Sequence, residues 1–106
     1  MSDFLSNFEN ANKNAKRLSN KILIDGKLIS PSTDSKIKVI NPSTGESIGD
    51  APQCNKVDVD HAVKSSLNAF KEWKKIPARE RGRLVEQGAR KLEERRGEIE
   101  TLLALD

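Results

Sequence analysis

Val39-Ile40-Asn41-Pro42-Ser43-Thr44-Gly45-Glu46-Ser47-Ile48 reads as the end of one strand, a tight turn and the start of a second strand. Val and Ile suit a pleated, half-buried surface. Asn41, Pro42 and Gly45 interrupt it, since Asn bonds its own backbone, Pro fixes φ near about −65° and Gly accepts a positive φ. Lys36 to Ile40 alternates basic and apolar residues into this turn, and Glu46 to Ala51 is the predicted partner strand leading out of it.

Upstream, Lys21-Ile22-Leu23-Ile24-Asp25-Gly26-Lys27-Leu28-Ile29-Ser30 sets two β-prone runs around Asp-Gly, the dipeptide that tolerates a type I′ turn. Pro31 through Ser35 is a loop, so residues 21–51 together predict a β-meander. Residues 1–20 form an Asn-rich extension in which Phe4, Phe8, Ala11, Ala15 and Leu18 recur at spacings of four and three. That spacing is the pattern of a short amphipathic helix, able to clasp a partner or the parent body. Its position at a terminus favours a frayed tail instead.

Downstream the periodicity becomes helical. Asn55 is placed to cap a helix over 55–75, with Asp58 three residues on completing an approximate capping box. Val59, Ala62, Val63, Phe70 and Trp73 fall mainly on one face, and Lys74 and Lys75 suit the negative end of the helix dipole. Pro77 ends this helix and can occupy the first turn of the next, over 78–96, which Leu84, Val85, Ala89 and Leu92 stripe. Gly97 is the expected break before a third helix over 98–106 carrying Ile99, Leu102 and Leu103. The predicted class is α/β: a β-hairpin or meander followed by three α-helices.

Only 35% of the 106 residues are apolar and 33% are charged, a thin supply for a self-sufficient core. The net charge of +3 invites a nucleic-acid partner, but Lys91-Leu92-Glu93-Glu94-Arg95-Arg96-Gly97-Glu98 interleaves the two signs as a solvated helix does. With no basic-aromatic platform either, a nucleic-acid partner is not expected. A single cysteine excludes an intrachain disulfide. No apolar run approaches membrane-spanning length, and Asp3 and Glu9 oppose a transit peptide, so no membrane partner and a cytoplasmic location are expected.

Little here suggests catalysis. His61 stands alone, without the Cys or His spacing of a metal site, so no metal ligands are expected. Cys54 precedes a helix N-terminus, which favours a thiolate, but a nucleophile needs a positioned base, and none is apparent. Asp58 and Asp60, two apart on a helix, point opposite ways and cannot share a substrate. Phe70 and Trp73 read as packing anchors. The glycines of Asp25-Gly26, Thr44-Gly45 and Ile48-Gly49 are isolated and form no phosphate-cradling strand-to-helix turn.

The stretch from Val39 to Ile48 nevertheless resembles the aldehyde dehydrogenase opening V-x-N-P-x-T-G-E-x-I. Asp58-Val59-Asp60-His61-Ala62-Val63 and Ala69-Phe70-Lys71-Glu72-Trp73 are similar to the family's D-V-D-x-A-V and A-F-x-x-W. Arg79, Arg81, Leu84 and Ala89 follow the grammar of its second helix, and Leu102-Leu103-Ala104-Leu105-Asp106 resembles the start of its third. The Ile24-Asp25-Gly26 hairpin fits the family's entry, so the resemblance spans residues 22–106.

It implies that residues 21–106 are an incomplete N-terminal part of a Rossmann-like cofactor-binding domain. The complete enzyme would be a homo-oligomer that oxidises an aldehyde to a carboxylic acid with NAD or NADP. In the family a cysteine thiolate attacks the aldehyde and a glutamate helps water release the acid, both from sequence beyond the matched part. Cys54 lacks the motif around that nucleophile, and Ile40, where some members hold a monovalent cation through a backbone carbonyl, lacks the other ligands. The resemblance therefore implies no catalytic, cofactor-binding or metal residues in this chain and no cofactor for it alone. The expected partner is the remainder of the polypeptide or a full-length homologue. The alternative is a non-catalytic interaction module docking on such a homologue or on the missing half.

Overall fold

The computed structural model describes residues 2–105. Four helices and two hairpins follow one another: α1 (Ser2–Leu18), β1 (Ile22–Ile24), β2 (Lys27–Ile29), β3 (Lys36–Ile40), β4 (Ser47–Pro52), α2 (Lys56–Trp73), α3 (Ala78–Glu94) and α4 (Arg96–Leu105). This is a small α/β arrangement.

Asp25 and Gly26 both take positive φ, 54° and 70°, which is the type I′ geometry, and Ile24 pairs with Lys27 across the turn. β3 pairs antiparallel with β4 from Lys36↔Pro52 to Ile40↔Ser47, with an irregularity between Val39 and Ile40. The predicted meander does not form. β2 and β3 do not pair, and the described residues form two separate two-stranded sheets. The loop between them is turned aside by side-chain bonds: the Asp58 carboxylate accepts the Ser32 backbone N–H at 2.9 Å, and Thr33 Oγ1 accepts that of Ser35 at 3.0 Å.

α2 starts as its sequence dictates. The Asn55 side chain accepts the Val57 and Asp58 N–H groups at 2.9 and 3.2 Å, and Asp58 returns a bond to the Asn55 N–H at 3.3 Å. α2 ends at Trp73, one to two residues before the expected lysine pair, and Lys74 forms its C-cap. Pro77 is the N-cap of α3, in extended conformation, rather than part of its first turn. The break before α4 falls at Arg95 and not at Gly97, which lies inside α4.

α1 is where the structure departs most from expectation. Residues 2–18 form a helix packed on α4 and on β4, not a frayed tail. Of its apolar stripe, Phe4 is outside the described side chains, Ala11 is 1% exposed, Ala15 is half-buried and Leu18 is more open. Asn14 Nδ2 donates to Glu98 Oε1 at 3.0 Å, which sets the C-terminal half of α1 beside the first turn of α4. Leu105 is 1% exposed, while Ile99 and Leu102 are half-buried. The only other fully buried apolar residue among those described is Ile24.

Candidate functional site

The Asn41–Gly45 turn is held by its own bonds. Asn41 is buried, its Oδ1 accepts the Ser43 N–H at 2.9 Å, its carbonyl accepts that of Gly45 at 2.8 Å, and its N–H donates to the Glu46 carbonyl at 2.9 Å. These bonds use the polar groups that Asn-Pro-Ser-Thr-Gly supplies, so the motif builds a corner rather than a ligand site.

Asp58 is the second buried polar residue. Burial opposes its ionisation, but the Ser32 and Asn55 backbone amides, the Ser32 hydroxyl and the charge of His61 outweigh that and hold its pKa below the ordinary value. Asp60 points to solvent and pairs with Lys56 at 2.6 Å, so the two carboxylates do not converge. Asp58 therefore ties the loop after β2 to the start of α2. A carboxyl with a depressed pKa contributes stability above its unfolded value and loses it as pH falls through the folded one. Acidification below the usual carboxylate range should thus release the Ser32 and Asn55 amides to hydrogen exchange together. Asn55→Ala should cost about 1 kcal/mol and expose the Val57 and Asp58 amides at neutral pH.

His61 is exposed and lines an open cleft with Asp25, Lys64, Ser65 and Asn68. Cys54 is an exposed free thiol. The described residues contain no cluster of His, Cys, Asp or Glu able to hold a metal, and no helix among them is long and apolar enough to cross a membrane. The residues present do not fit a dinucleotide either. Gly26 and Gly45 sit in hairpin turns, Gly49 in β4, and Gly82, Gly88 and Gly97 inside helices, so no glycine-rich strand-to-helix turn exists to cradle phosphates.

What the surface does carry is apolar. Val59, Val63, Leu67, Phe70 and Trp73 of α2 and Leu84, Val85 and Leu92 of α3 are all exposed. Phe70, Trp73 and Ile76 line a shallow groove with Ser66, Ala69 and Glu72, and Lys74 Nζ lies 5.7 Å from the centre of the Phe70 ring. Around this face the charges pair along the helices, as in Arg90–Glu86 at 2.7 Å and Arg96–Glu93 at 2.9 Å, which leaves no single-sign field for a polyanion. Monomeric soluble proteins rarely leave such stripes uncovered, which makes the α2 and α3 stripes the candidate site. The spacing of these residues marked them as apolar faces, but nothing local could show that they would stay open.

The sequence profile of the aldehyde dehydrogenase family matches residues 29–106. Aldehyde dehydrogenase tropH of Talaromyces stipitatus is 38% identical over 82 residues, covering 77% of this chain and 16% of its own. The chloroplastic aminoaldehyde dehydrogenase ALDH10A8 of Arabidopsis thaliana is 36% identical over 91 residues, covering 81% of this chain and 18% of its own. A probable betaine aldehyde dehydrogenase of Schizosaccharomyces pombe is 37% identical over 81 residues, covering 73% and 16%. The chain thus spans less than a fifth of the length of these relatives. No solved structure matches it. On the profile match and these identities, the chain belongs to the aldehyde dehydrogenase family.

Proposed function

We propose that this chain is the opening segment of an NAD(P)-dependent enzyme that oxidises an aldehyde to a carboxylic acid, and that it does not perform this reaction alone. The observation that carries the reading is the row of bare apolar residues on α2 and α3, within the stretch that matches the family. Faces of this kind are made to be covered, and the partner of matching origin is the remainder of an aldehyde dehydrogenase. In that whole the two hairpins and α2 to α4 belong to a Rossmann-like cofactor-binding half, and the complete enzyme is a homo-oligomer. Neither a positioned nucleophile and base nor a phosphate cradle lies among the described residues, so the chemistry must come from elsewhere. The purified chain, offered NAD+ or NADP+ and a panel of aliphatic and aromatic aldehydes, should give no cofactor reduction above a buffer control. Reduction that survives repurification would overturn the proposal.

A further inference from the structure

α2 meets the rest of the molecule chiefly through β1 and, at its start, through the Ser32–Asp58 bond. These contacts use one side of the helix, where His61, Ser65 and Asn68 line the cleft beside Asp25. About a third of a turn round, Val59, Val63, Ser66, Phe70 and Trp73 recur at spacings of four, three, four and three, and all five are exposed. Such a run is a seam for a second helix, and 18 residues give it a length of about 27 Å.

The seam is graded in size and in charge. Its N-terminal half carries two valines and its C-terminal half a phenylalanine and a tryptophan, with the small Ser66 between them. Along one edge Asp60, Leu67 and Lys74 follow at spacings of seven, an acid at one end and a base at the other. Asp60 also pairs with Lys56 at 2.6 Å, but its side chain is 63% exposed and a carboxylate accepts more than one donor. Phe70 keeps Lys74 along the seam, with Nζ 5.7 Å from the ring centre. The neighbouring charges bond within their own turn, Lys75 to Glu72 at 2.8 Å and Lys71 to Asn68 at 3.4 Å.

We propose that α2 pairs antiparallel with α2 of a second copy of this chain, about a two-fold axis near Ser66 and Leu67. The valines of one helix then lie against the aromatic rings of the other, small against large at both ends, and Ser66 lets the helices approach at the centre. Leu67 meets its own counterpart beside the axis, and Asp60 faces the partner's Lys74 on both sides of it. The helix dipoles also oppose, which favours this direction. A parallel pair would set ring on ring, Asp60 on Asp60 and Lys74 on Lys74. One helix seam lies at the small end of specific interfaces, below about 1,200 Å² in total, so the pair dissociates on dilution. The pairing is a property of the free chain and does not rest on the reaction proposed above.

Sedimentation equilibrium of the 106-residue chain over a dilution series tests the pairing, with helical ellipticity as the check on folding. Asp60→Lys and Lys74→Asp should each raise the dimer dissociation constant about tenfold, because both edge pairs turn repulsive. An equal mixture of the two variants should associate as the parent does, since each meets opposite charges only in the other. The double variant Asp60→Lys/Lys74→Asp should do the same alone. Single variants that associate like the parent, or a mixture no tighter than its components, would overturn the proposal. In a Cys54→Ser background, a short bismaleimide should link Leu67→Cys chains into dimers about tenfold faster than Asn68→Cys chains, whose thiols lie on the far side of each helix. Equal rates, or a parent chain that stays monomeric throughout, would sink the pairing. So would association that Val85→Asp on α3 abolishes and Phe70→Asp leaves intact.

Discussion

The purified 106-residue chain should lose its circular dichroism over a broad temperature range and elute at a size that grows with concentration. Its radius of gyration is 17.2 Å, where a compact domain of this length has about 13 Å. Its accessible surface is 8382 Å², against roughly 5,900 Å² for a folded monomer of 11.8 kDa. The excess, on the order of 2,500 Å², is as large as an obligate interface. Each exposed Val, Leu or Phe of α2 and α3 would contribute ~1.5–3 kcal/mol if fully buried, and a typical domain has only about 5–15 kcal/mol in total. The hairpins cannot compensate, because two-stranded pairs without a packed face are barely stable in water. Ile99, Leu102, Leu103 and Leu105 are the large apolar residues of α4. With α1 over α4, only Leu103 of that set is openly exposed, and association should run through the α2 and α3 faces. A sharp cooperative transition above ~60 °C from a clean monomer, at the stable end for an ordinary domain, would show that these faces need no cover.

The second large effect concerns Ala11. Replacing it with glutamate puts a longer, charged side chain where 1% of the alanine is exposed, and a buried unpaired carboxylate costs several kcal/mol. α1 should detach. A helix of 17 residues rich in Asn has little stability of its own once its tertiary contact is gone. α1 contributes 17 helical residues beside the 18, 17 and 10 of α2, α3 and α4 among the described residues, so helical ellipticity should fall by about a quarter, and further if α4 melts with it. A protease should then cut within residues 2–18 faster than it does in the parent chain. Unchanged ellipticity and an unchanged cleavage pattern would show that α1 is not held by α4.

The parts legible in the sequence are those whose causes are local. Asp25-Gly26 fixed its turn because few other residues accept two successive positive φ values, and Asn55 with Asp58 fixed the start of α2 within four residues. The break at Arg95 was misplaced to Gly97, since a glycine is tolerated inside a helix at modest cost. Where partners lie far apart along the chain, local pattern was silent. Nothing around Ser32 announces that its N–H will meet Asp58, and nothing in the α1 stripe says that it will find α4. The meander failed for the same reason, because strand neighbours are chosen by long-range packing and not by adjacency. For the candidate site, spacing revealed the apolar faces, but their openness depends on which other elements exist to cover them.

The Asn14–Glu98 bond joins residues 84 positions apart. On a ribosome adding about 5–20 residues per second, roughly 4–17 s separate the synthesis of its two ends. Helices form in about a microsecond and hairpins within about ten, so both hairpins, α2 and α3 can take shape while α1 waits for α4 to be made. During that interval the end of α1 at Ser19 and Asn20 can already bond Asp50 of β4, while Asn14 has no Glu98 to meet. α1, made before the other described elements, therefore completes its native contacts only once α4 has been made.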